Sequence, residues 1–228
     1  MDLPSIISLD EALFQIESRS SKKVLFGGER VLEISSYVAG WMASRGMDVV
    51  VLDGANRFDP YTVSLFARRV FIPPEKLLKS IRIARAFTCY QMAALMGEKL
   101  TSFVRQEEAT TSTEKPWVIL LGPLTTFLDE DVPERDAGPL LERSLRKTET
   151  LTVEGVSFLL FQPFLHSHSK RADLMRKLFQ FSNLIWRVHL DDEGPKVMLE
   201  KAPIENSGMR DWGGIIKIRS SKQTRFGH

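Results

Sequence analysis

Several residue types that would announce a common function are scarce or absent. The chain has one cysteine, Cys89, among 228 residues. An internal disulfide framework is therefore excluded, and a reducing, cytoplasmic setting is expected. No uninterrupted apolar run approaches the ~20 residues of a membrane-spanning helix. The opening MDLPSIISLDEALFQIE has neither a basic start nor an apolar stretch, so no signal peptide is expected. An excess of one charge is also missing. Thirty-one basic residues stand against 29 acidic ones, so any nucleic-acid surface has to be local. His166 and His168 lie two apart without cysteine or carboxylate support, and no metal site is expected. Without a repeat, a low-complexity tract or a dividing linker, residues 1–228 read as a single domain. Residues 1–21 form its helical lead-in and 219–228 its polar tail.

What is present alternates between two kinds of segment. Short apolar or β-branched runs occur at 22–26, 48–53, 81–87, 117–122, 156–162, 184–190, 196–201 and 215–219. The inner runs are continuously apolar, as strands covered on both faces must be. Between them, Val31, Ile34, Val38, Trp41 and Met42 recur at helical spacing, as do Met92, Leu95, Met96, Leu100, Phe103 and Val104. Leu140, Leu141 and Leu145, then Leu174, Leu178 and Phe181, mark two further helices. The pattern predicts an α/β fold with a mostly parallel sheet and helices on both faces. The last three strands have no helix between them and are expected to be antiparallel, on one edge. The hydrophilic stretches 105–116 and 128–138 read as surface loops.

In such sheets ligands bind at the carboxyl ends of the strands. Lys22 to Asp53 reads as strand, Gly-Gly turn, helix and strand, the opening unit of a nucleotide-binding domain. A phosphate loop there would carry GxxxxGK[ST]. Counting from Gly27, the last three of those positions hold Leu32, Glu33 and Ile34, and in a shorter register Glu29, Arg30 and Val31. Gly27, Gly28, Glu29 and Arg30 thus form a degenerate phosphate-loop position. Either the helix start still attracts an anion with help from Arg30, against Glu29 and Glu33, or the glycines only make a tight turn. Asp53 and Asn56 could orient a water or a metal, though both also suit a turn. Gly122-Pro123 follows the fourth strand, where a metal-dependent NTPase would hold Mg²⁺ through an Asp. Gln162 at the next strand tip could sense a ligand or cap a neighbouring loop.

Six collinear pieces resemble the core of RecA/RadA-type recombinases, from about Ile7 to Ile218. They are SLDEALFQI, VVVLDGANRFDP, IRIARAFTCYQMAALM, VILLGPLTTF, FLLFQP and the closing strands WRVHL, KVMLEKAP and GIIKI. The ARA-aromatic strand followed by a helix with an early Gln is the most specific of them. The resemblance implies a RecA-like three-layer sandwich and the site of a P-loop ATPase. It also implies that Ala55 stands at the position of the catalytic Glu and Gly122 at that of the Walker B Asp. With the phosphate-loop Lys and Ser/Thr missing too, hydrolysis and cofactor binding are not expected, because phosphoryl transfer consists largely of the positioning and electrostatics these groups supply.

The family's DNA-contacting loops would fall at 128–138, which is acidic, and near 163–178. The second region offers Lys170, Arg171, Arg176 and Lys177 as candidate contacts to a sugar-phosphate backbone, or as a solvated helix face. The function expected is a non-catalytic accessory protein of DNA recombination or repair. It would bind a partner recombinase or ATPase, or a second copy of itself as a dimer, with DNA, bound without sequence preference, as a further candidate partner. The alternative is a scaffold or regulatory subunit with no nucleic-acid role.

Overall fold

A computed structural model describes residues 6–16, 22–110, 115–165, 171–191 and 194–201. The apolar runs become strands β2 (Lys22–Gly27), β3 (Val49–Asp53), β4 (Ile81–Arg85), β5 (Trp117–Leu121), β6 (Ser157–Pro163), β7 (Leu184–Asp191) and β8 (Gly194–Lys201). An additional short strand, β1 (Ile6–Ser8), precedes them, so the described part of the 1–21 lead-in is not helical throughout. All eight strands form one sheet in the order β1-β8-β7-β2-β6-β5-β3-β4. β7, β2, β6, β5, β3 and β4 pair in parallel, while β8 runs antiparallel between β7 and β1. The antiparallel edge is therefore present, with β1 as its outermost strand among the described residues. Residues 215–219 and the 219–228 tail lie outside the described residues.

Helices cover both faces. Alternate residues of each strand point to opposite sides, and they divide between two cores. Leu25, Val51, Ile119 and Phe161 pack with α1 (Leu9–Ile16), α2 (Val31–Ser44), α3 (Pro60–Arg69) and α4 (Pro74–Lys79). Val24, Val50, Leu120 and Leu160 pack with α5 (Cys89–Ala94), α6 (Leu100–Thr110), α7 (Glu134–Val153) and α8 (Ala172–Phe181). A π-helical segment, Leu95–Lys99, joins α5 to α6.

Local chemistry sets the helix starts. Ser8 and Glu11 form a reciprocal capping box at α1: Ser8 N donates to Glu11 Oε2 (2.9 Å) and Glu11 N to Ser8 Oγ (3.2 Å). The bonds that Ser8 N and Ser8 Oγ donate to it hold the Glu11 carboxyl below its ordinary pKa. Asp59 accepts from Tyr61 N and Thr62 N at the start of α3. Thr88 accepts from Gln91 N while Gln91 Oε1 accepts from Phe87 N, which accounts for a Gln early in α5. The two predicted loops are partly helical instead. α6 runs on to Thr110 and α7 begins at Glu134, continuing through Gly138 and Pro139.

The connections locate the sheet's switch point. From β2 the chain crosses one face through α2 to β3, beyond β6 and β5. From β6 it crosses the other face through α8 to β7, on the opposite flank of β2. The direction of winding reverses between β2 and β6, and the crevice of an open α/β sheet lies at the carboxyl ends of such a pair.

Candidate functional site: the carboxyl-edge cleft

Between the end of β2 at Gly27 and the start of α2 at Val31 stand only Gly28, Glu29 and Arg30. Gly27 is held to glycine by its neighbour, since a Cβ there would lie 2.8 Å from Val188 O on β7. Its carbonyl accepts from Phe164 N (2.7 Å), fastening the turn to the exit of β6. Val31 N, Leu32 N and Glu33 N donate to the carbonyls of Gly28, Glu29 and Arg30. A helix start binds anions through free N–H groups, and here most of the first turn is already engaged. Arg30 Nε faces Glu33 Oε2 at 3.4 Å, with both side chains exposed. The segment works as a tight strand-to-helix turn.

The tip of β3 is organised by Asp53, which is fully buried. Its carboxylate accepts from Ala55 N, Arg57 N and Phe58 N at 3.0–3.2 Å, and Arg85 Nε lies 3.5 Å away. Asn56 takes a left-handed φ of 53° in the same turn. Asp53 therefore shapes the loop and is fully occupied in doing so. Gly54 N donates to Leu121 O (2.9 Å), so the β3 and β5 tips lie directly against each other. Gly122 sits at φ 59°, and a Cβ on it would meet Thr125 Oγ1 at 2.5 Å and Ala55 Cβ at 2.6 Å. The space an acidic side chain would need is filled. Gln162, 1% exposed, accepts at Oε1 from Leu124 N (3.0 Å) and donates from Nε2 to Pro163 O (3.2 Å). It caps the loop after β5.

These tips enclose a cleft of about 220 Å³. Its walls are mostly apolar, with Leu32, Ala55, Leu128, Pro163, Phe164 and Leu165, and its polar groups are those of Glu29, Arg57, Thr125 and Gln162. Exposed Asp129, Glu130 and Asp131 follow directly on Leu128. Arg57 is the single basic side chain of the lining, against the carboxylate of Glu29 in the wall and three more beside it, so the balance of charge disfavours phosphate. Leu128, Phe164, Leu165 and Arg57 carry no motif, and their role emerges only when four strand tips are brought together.

The basic candidates are dispersed rather than gathered. Arg171, just before α8, turns its guanidinium inward and donates to the carbonyls of Phe127, Asp129 and Val132. It is a clamp on the acidic loop, which corrects its expected place on a phosphate-facing surface. Arg176 pairs with Asp173, and Lys177 with Glu142 and Asp173. The Lys177 pairing holds the Glu142 carboxyl below its ordinary pKa. Lys170, His166 and His168 lie outside the described residues. Cys89 is buried, and desolvation pushes its thiol pKa up, away from nucleophilic use.

Among the described residues no group of three or more His, Cys, Asp or Glu is arranged to hold a metal ion, and no helix is long and apolar enough to cross a membrane. No family model and no curated protein matches the chain.

Proposed function

We propose that this chain is a RecA-like domain that has lost nucleotide chemistry and acts in DNA recombination or repair by binding a protein partner. The observation that carries the reading is the carboxyl-edge cleft. At the sheet's switch point, the phosphate-loop Lys position holds Glu33 or, in the shorter register, Arg30; the Ser/Thr position holds Ile34 or Val31; and the positions that the resemblance assigns to the catalytic Glu and the Walker B Asp hold Ala55 and Gly122. The β3 and β5 tips have closed on each other beside them, with Gly122 packed on Ala55 and Gln162 capping Leu124. The three layers and the antiparallel flank agree with the fold that the resemblance implies. Isothermal titration with Mg-ATP tests the reading: no saturable heat is expected, and no ATP turnover above background. Clear stoichiometric binding would sink it.

A partner's approach is supported by β4, which ends the sheet among the described residues. Ile83 on β4 and Phe87 just after it are 41% and 65% exposed, an unusual amount of apolar surface at the edge of a sheet. An extended segment of a protein partner adding to this edge would pair its backbone and cover those side chains. The scaffold reading without nucleic acid draws support from a separate observation. Arg171 is engaged inside the molecule, and Arg176 and Lys177 are in ion pairs. Binding to single-stranded DNA separates the two readings.

A further inference from the structure

Phe71 lies in the turn between α3 and α4 with φ 57° and 96% of its surface exposed. Phe71 N donates to Arg68 O and Ile72 N to Ala67 O, so the chain leaves α3 through one left-handed residue. Glycine normally takes that position, because a Cβ is penalised there. Here it carries a large apolar side chain that gains no packing in return. Strain and exposure both work against stability, and such an outlier points towards function. Around it, Arg68, Arg69, Lys76 and Lys79 are exposed against Glu75 alone. At the other end of the sheet lies the cleft, with apolar walls, one acidic and one basic side chain in its lining (Glu29 and Arg57), and the carboxylates of Asp129, Glu130 and Asp131 following on its Leu128 wall. Its volume of about 220 Å³ is below the ~300–1,000 Å³ of small-molecule sites and on the scale of a single side chain.

We propose that Phe71 of one copy of this chain seats in the carboxyl-edge cleft of a second copy, with Arg68 and Arg69 facing the acidic rim. This rests on the reading that the cleft holds no nucleotide. The occupant follows from complementarity, since an aromatic knob with a basic collar meets an apolar socket with an acidic collar. α3 runs back from the carboxyl ends of the strands, so knob and socket lie at opposite ends of the sheet. The contact is therefore heterologous, and copies join head to tail.

Sedimentation velocity of the full chain over a concentration series tests this, beside two variants. Phe71→Gly removes the knob and relieves the left-handed residue. It is expected to abolish association while raising Tm by about 2–4 °C. Thr125→Trp fills the exposed cleft wall and is expected to abolish association too. Each variant alone should be monomeric, yet an equimolar mixture should give a 1:1 dimer that grows no further, because one partner keeps a socket and the other a knob. A parent chain monomeric at every concentration overturns the proposal, as does association that survives either substitution. Binding of an oligonucleotide or anionic vesicles by a monomeric chain, lost in Phe71→Gly, would give Phe71 another occupant and also overturn it. Saturable Mg-ATP heat would remove the underlying reading of the cleft as well. A monomeric parent without such heat removes only the self-docking.

Discussion

Gly122 shows what a single residue fixes. Restoring an Asp at this position would look from the sequence like repair of a metal site, but the backbone is left-handed and a Cβ would run into Ala55 and Thr125. Gly122→Asp should therefore cost at least ~1–2 kcal/mol from the backbone conformation alone, lower Tm by several degrees, and restore no ATP turnover. A variant melting with the parent would mean that the two loops are not packed as described. Lys23 is a second informative residue. It is fully buried on β2, its Nζ lies 4.9 Å from the Trp117 ring centroid, and burial lowers its pKa to about 8 from 10.5. A depressed lysine pKa means that the unfolded chain holds the proton more tightly, so the folded state carries the full cost below pH 8. That cost, about 3 kcal/mol at 1.36 kcal/mol per pKa unit, disappears as pH rises towards 10.5. Parent stability relative to Lys23→Met should thus rise between pH 8 and 10.5. Urea midpoints at several pH values would reveal a parallel pair of profiles if burial were not the cause.

At the scale of elements, legibility followed length and pattern. β2, β3, β5 and β6 are buried on both faces, and a continuous apolar run identifies such a strand without any partner being known. β1 has three residues, too few for any period to show, and exists because β8 offers it an edge. α3 passed unnoticed because its buried Val63, Phe66 and Ala67 share the helix with exposed Tyr61 and Leu65, which blurs the apolar stripe. Gly138 reads as the end of the 128–138 loop, yet it and Pro139 fall early in α7, and the helix is secured further on by buried Leu141, Leu145 and Leu151. The cleft was half legible. Missing polar groups can be read from a string of letters, since each absence is local. The closing of the β3 tip on the β5 tip cannot, because it depends on a pairing between residues some seventy positions apart, Gly54 with Leu121 and Ala55 with Gly122. The role of Arg171 is illegible for the same reason: its partners are carbonyls about forty residues away, and carbonyls leave no trace in composition.

For the whole molecule, a net charge of +2 hides segregation. Residues 68–79 hold four basic side chains and one acidic, whereas the loop at 129–131 is wholly acidic. Nucleic-acid binding must therefore be argued surface by surface. The α8 surface is the one the recombinase resemblance singles out, and its test has to spare Arg171, whose loss would release the acidic loop. The double substitution Arg176→Ala and Lys177→Ala does so. Both residues pair only with other side chains near the surface, and such pairs contribute about 0–1 kcal/mol each. If α8 meets single-stranded DNA, the parent binds an oligothymidine weakly and the affinity falls with salt. Removing two phosphate contacts should then reduce the slope of log K against log salt by about 1.4, at ~0.7 per contact. Fluorescence anisotropy at several salt concentrations measures both quantities. Equal slopes in parent and variant remove α8 from the DNA reading. No binding by either leaves the protein-partner role standing alone, because the ion pairs on α8 would then be the whole purpose of those charges.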